Sequence, residues 1–118
     1  MPQYMLLLHE RPADAATVSP AEMKEIVARY KAWAQELAAR GQLAGGEKLA
    51  DDGGRVLQLQ DGRPVAHDGP YAEAHDVVGG TFTIVADDDA AAEAIAAGCP
   101  HLRGRNWIEL RRVDPVRG

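Results

Sequence analysis

Asp68-Gly69-Pro70-Tyr71-Ala72-Glu73 sets two carboxylates five residues apart around a Gly-Pro turn, with a phenol between them. An aspartate ahead of Gly-Pro is held by the turn that it starts. Aimed into a pocket and partly buried there, Asp68 can act as a general acid or base. The same carboxylate can instead be consumed by the backbone amides that fix the turn. Tyr71 can donate a hydrogen bond to a substrate oxygen, or pack as an ordinary aromatic with its hydroxyl at the surface. His75 can swing toward Asp68 if the intervening residues turn, whereas His67 adjoins Asp68 in an extended stretch, where neighbours face opposite ways. Asp68 and His75 are therefore the catalytic candidates.

Glu47 follows Gly45-Gly46 in a strand expected inside the sheet, where a carboxylate is costly unless it is paired or faces a polar cavity. His9 ends the first strand on the side of Met5 and Leu7. Glu47, Tyr71 and His9 are thus the expected substrate-binding residues, with solvent exposure the ordinary alternative for Glu47 and for Glu73. The four histidines and the single Cys99 have no zinc-ligand spacing, so no metal site is expected. Neither Gly45-Gly46 nor Gly79-Gly80 makes a dinucleotide or phosphate loop, and no cofactor is expected. Ser19, the only serine, belongs to a helix cap, which excludes serine-nucleophile chemistry.

Those residues need a scaffold. With 118 residues the chain forms one domain, and 46% apolar with 26% charged residues is ordinary for a globular core. Tyr4 to Leu8 is a continuous apolar strand that needs cover on both faces. Glu10 to Val18 reads as a loop. Ser19-Pro20-Ala21-Glu22 is a capping box with proline at the first helical position, and the helix runs to Gly41. Met23, Ile26, Val27, Tyr30, Trp33 and Leu37 mark its apolar face.

A strand over Leu43 to Ala50, a turn at Asp51 to Gly54 and a hairpin around Asp61-Gly62 form a meander. Val77-Val78 and the β-branched stretch Thr81 to Val85 form the next strand, and Asp87-Asp88-Asp89 caps a helix over Ala90 to Ala97. Trp107 to Val113 alternates as the last strand. With the hairpin set aside, strand, helix, strand, strand, helix, strand is the split βαβ of a ferredoxin-like α+β fold.

Two helices cover one face of such a sheet. Met5, Leu7, Phe82 or Ile84, and residues of the last strand are expected on the other, and an apolar patch of that kind marks an interface. A homodimer packed sheet against sheet, a dimeric α+β barrel, follows. A formal charge of −5 offers no footprint for nucleic acid, and Arg103, Arg105, Arg111 and Arg112 read as a solvated face. Met5 to Leu8 is too short for a signal core or a membrane span, and the lone Cys99 cannot form an intrachain disulfide. A cytoplasmic location is expected.

Asp68-Gly69-Pro70-Tyr71-Ala72-Glu73 closely resembles the DGPF motif of YCII-related domain proteins, with Tyr71 in place of the phenylalanine. Tyr4-Met5-Leu6-Leu7, Ser19-Pro20-Ala21-Glu22, Gly45-Gly46-Glu47-Lys48-Leu49, Asp61-Gly62 and Val78-Gly79-Gly80 extend the resemblance along nearly the whole chain. It implies a ferredoxin-like dimer similar to muconolactone isomerase and the cofactor-free monooxygenases of that superfamily. Some relatives sit beside, or are fused to, extracytoplasmic-function sigma factors. The family's His and Asp pair has its histidine early in the first helix, where this chain has Glu22, and the lysine usual after the motif is missing from Glu73-Ala74-His75-Asp76. The function expected is cofactor-independent acid/base chemistry on a small organic molecule. The alternative is a non-catalytic ligand-binding or regulatory module linked to a sigma factor.

Overall fold

A computed structural model describes residues 1–70 and 76–115. The elements are β1 (Gln3–Glu10), α1 (Pro12–Ala15), α2 (Pro20–Ala39), β2 (Leu43–Lys48), β3 (Arg55–Gln60), β4 (Arg63–Asp68), β5 (Val77–Val85), α3 (Asp89–Ala97) and β6 (Trp107–Arg112). Four strands form one sheet in the order β2-β5-β1-β6, and every neighbouring pair is antiparallel. This is the expected split βαβ arrangement in an α+β fold. β3 and β4 pair only with each other, as a hairpin outside the main sheet.

Local chemistry sets the helix boundaries. Ser19 Oγ accepts the Glu22 amide at 3.1 Å and Pro20 opens α2, while Gly41 follows its end at φ 69°. Asp88 caps α3 by accepting the Ala91 amide at 2.8 Å. The segment read as a loop after the first strand contains one short helical turn, α1, begun by Pro12.

The strand period divides β1. Tyr4, Leu6 and Leu8 are buried beneath α2 and α3, with Ile84, Leu37, Ala92 and Ala96 in the same cluster. Trp33 meets the Phe82 ring edge-on at 5.0 Å between centroids. Register corrects one expectation. Ile84 lies opposite Tyr4 and Phe82 opposite Leu6, so both belong to the helix-covered side. β5 gives Thr83 and Thr81 to the open side, opposite Met5 and Leu7. On α2, Met23 and Val27 stay 43% exposed at the edge of the apolar stripe.

The hairpin is the outlying part. Leu57 and Leu59 are 67% and 73% exposed on it. The radius of gyration of 16.3 Å exceeds the ~13.5 Å of a compact chain of this length. No helix among the described residues is long and apolar enough to cross a membrane.

One polar group is sunk in the core. His101 is 3% exposed, its Nε2 lies 2.8 Å from the His9 carbonyl and its Nδ1 lies 3.0 Å from the Tyr30 hydroxyl. A carbonyl only accepts, so Nε2 carries the proton, and the Tyr30 hydroxyl donates to Nδ1. That hydroxyl in turn accepts from Arg103 Nη1 at 3.2 Å. Arg103 therefore braces the core instead of joining a purely solvated arginine face. Burial holds the His101 pKa below its usual 6.5, against the raising influence of the His9 carbonyl and Glu10.

The unfolded chain consequently binds a proton at His101 that the folded one refuses. Stability is complete above 6.5 and declines as the pH falls from there toward the depressed folded value. Urea midpoints at pH 7.5 and 5.5 should fall on acidification in the wild type, and fall less in His101→Gln. Leu6→Ala, at a site with no exposure, is expected to cost about 2–5 kcal/mol in the same assay.

Candidate functional site

The Gly-Pro motif forms the neck of the hairpin. Asp68 is the cross-strand partner of Arg55, and its Oδ1 accepts from Arg55 Nη1 at 2.6 Å. Its side chain is 89% exposed, so the partial burial expected of it is not found in the single chain. Gly69 donates its amide to the Gly54 carbonyl at 2.9 Å. Gly53, at φ 79°, and Gly69 approach so closely that a Cβ on either would strike the other's backbone carbonyl. The two glycines thereby close the neck where Asp51 to Gly54 meets the motif.

Beside that neck lies an open cleft of about 880 Å³. Its walls come from α1, from Leu49 to Gly54, from Pro70, and from Asp76 to Gly79, with Glu10 at the end of β1. Glu10 also borders a smaller hollow of about 310 Å³ that contains Arg103 and Arg105. The Glu10 carboxylate occupies the space that a side chain at residue 79 would take, which explains Gly79. The Glu10 carboxylate forms no hydrogen bond or ion pair among the described residues. At the cleft wall Arg11 Nε lies 3.5 Å from Asp76 Oδ1, and in the smaller hollow Arg105 pairs with Asp14 of α1.

His9, one residue earlier, points to the opposite face. Its ring lies flat on Trp107, with centroids 3.9 Å apart and planes at 7°. Its Nε2 is 3.1 Å from Glu109 Oε1. Hydrogen bonds from His9 and then Arg111 hold the Glu109 carboxyl below the usual carboxylate range. Glu109 is thus ionised at neutral pH and can only accept, which leaves the proton of neutral His9 on Nε2. Glu47 shares this open face, opposite Thr81, but β2 is an edge strand and Glu47 is exposed. The desolvation cost expected for a carboxylate inside the sheet does not arise there.

Tyr71 and His75, with Glu73, lie outside the described residues. Pro70 and Asp76, on either side of that segment, both border the cleft. Asp68, Glu47 and His9 are not gathered into one constellation. Glu10, Glu109 and His101 were not among the expected site residues. The alternation that puts Tyr4, Leu6 and Leu8 on one face carries on to Glu10, and that of the last strand puts Glu109 beside Trp107. His101 had no such signal, since its partners are 71 and 92 residues away. No group of three or more metal-ligating side chains occurs among the described residues.

A search of curated proteins returns no match to this chain. The family model of the YCII-related domain matches residues 2–117. The protein belongs to the YCII-related domain family.

Proposed function

We propose that this protein is a cofactor-independent acid/base enzyme that acts on a small organic molecule held in the cleft beside the hairpin neck. The observation that carries this reading is that Glu10, a carboxylate with no partner among the described residues, borders the same cleft as Pro70 and Asp76, the residues flanking the rest of the motif. A positioned carboxylate free of salt bridges is suited to take or give a proton. The acids on the cleft wall, Glu10, Asp51, Asp52 and Asp76, outnumber its basic groups and favour a neutral ligand over an anion.

In this reading Asp68 serves through its pairing with Arg55, which holds the motif turn at the cleft rim. Tyr71 and His75 are the further candidates for contact with substrate. Glu47 and His9 belong to the other side of the sheet. The pairing of Asp68 with Arg55, with no titratable group facing it across a cavity among the described residues, favours the second reading of a ligand-binding module of the sigma-factor-associated kind. The uncovered sheet face, with Met5, Leu7 and Trp107, supports a homodimer in which a second copy covers it, and a cytoplasmic setting agrees with a free buried thiol at Cys99.

A panel of small neutral organic molecules, screened by thermal shift and then for turnover, tests the proposal. Glu10→Gln should keep the shift and lower turnover of a hit by about 100-fold or more. Retained turnover in that variant overturns the catalytic role, and binding without turnover in the wild type selects the module. Gly79→Ala, which drives a methyl group into the Glu10 carboxylate, should weaken binding of the same hit. Light scattering should give twice the 12.7 kDa chain mass, and a monomer at micromolar concentration would remove the dimer.

A further inference from the structure

Glu10 and Arg103 share the smaller hollow, on the side of β1 away from the face left for a second copy. Both are half-buried and carry opposite charges, yet they form no ion pair with each other. The other arginine of the hollow, Arg105, is taken up by Asp14. Arg103 has no carboxylate partner among the described residues. Its guanidinium is anchored through Nη1 alone, which donates to the Tyr30 hydroxyl at 3.2 Å and to the Pro100 carbonyl at 3.1 Å. Nε and Nη2 form no hydrogen bond among the described residues, so N–H donors remain on a side chain whose position is fixed. Burial raises the Tyr30 pKa, Arg103 opposes that rise and Glu10 adds to it, so the two charges converge on one hydroxyl.

Fixed N–H donors beside a free carboxylate are the parts needed to take a proton from the carbon next to a carbonyl. We infer that Arg103 is a catalytic residue that binds the carbonyl oxygen of a neutral ketone or ester while Glu10 enolises it, an inference that rests on Glu10 acting as the proposed acid/base group. Glu10 takes a proton from the carbon beside the carbonyl. The C–H electron pair becomes the carbon–carbon double bond, and the carbonyl π pair moves onto the oxygen, where Arg103 donates to it. Return of a proton from Glu10 to carbon regenerates the carboxylate, so no oxidant or second reactant is needed. The charges also define the ligand. Glu10 repels an anion and Arg103 repels a cation, whereas a neutral carbonyl compound is matched at both ends of its dipole. Glu10 and Ala15 border the cleft as well, so the carbonyl end belongs in the smaller hollow and the rest of the molecule in the cleft.

The probe is cyclohexanone in heavy water with the full-length protein, its α-hydrogens followed by proton NMR. Loss of those signals should outrun that in an equal concentration of acetate and guanidinium. Arg103→Met should slow the exchange about 100-fold and Glu10→Gln by a similar factor, while Arg40→Met, beyond the end of α2, leaves it unchanged. Exchange that needs Glu10 but survives Arg103→Met overturns the role of Arg103 and leaves the acid/base reading standing. Exchange no faster than in the acetate and guanidinium mixture overturns the carbonyl assignment, and the wider panel of neutral molecules then judges the acid/base reading by itself. Arg103 also braces Tyr30, so a second measurement covers a variant that fails to fold. 4-Nitrophenolate resembles the enolate, and Glu10→Gln resembles the protonated acid. That variant should bind 4-nitrophenolate about tenfold more tightly than the wild type, with a shift of the Arg103 Nε–H signal in its ¹⁵N spectrum. Equal binding, or an Arg103 signal that does not move, excludes the role.

Discussion

Side chains of neighbouring strand residues point to opposite faces, and in this protein that alternation along β1 governs almost everything else. Tyr4, Leu6 and Leu8 enter the core, and Met5, Leu7 and His9 take the open side. A strand in the middle of a sheet cannot slip by one residue without exchanging those sets, so the hydrophobic pattern locks the register. The same lock separates His9 from Glu10 at the strand end. Adjacent in sequence, they serve different faces and different surroundings.

Support for that strand end comes from far along the chain. The turn after α3 returns His101 to the core beside β1, where its imidazole bonds the His9 carbonyl and the Tyr30 hydroxyl together. An unpaired carbonyl or imidazole buried there would be strongly destabilising, so each partner makes the others tolerable. Arg103 completes the chain of donors and keeps a charged group close to Glu10, one wall of the cleft. The fold and the wall of the cleft are coupled through these few polar atoms.

The Gly-Pro motif has a clear architectural role. A hairpin that makes little contact with the body must be fixed at its base, and the base is the approach of Gly53 and Gly69, the Gly69 to Gly54 hydrogen bond and the Arg55 to Asp68 ion pair. An exposed ion pair contributes little by itself. The two glycine backbones impose the geometry, because a side chain at either position has nowhere to go.

The sequence by itself determined the two longer helices, the order of the sheet strands along the chain, the hairpin and the family resemblance, because capping residues, glycine turns and alternation act over a few positions. It placed Ser19 and Gly41 in their roles, the cap of the last helix within Asp87 to Asp89, and His9 on the side of Met5 and Leu7. Only the tertiary structure decided that β2 is an edge and Glu47 exposed, that Phe82 and Ile84 face the helices, that Asp68 is tied to Arg55, and that Glu109 and His101 hold His9. Those outcomes depend on register and on partners up to 100 residues apart. Local preferences fix how a residue sits in its element, whereas the packing of elements fixes what stands across from it.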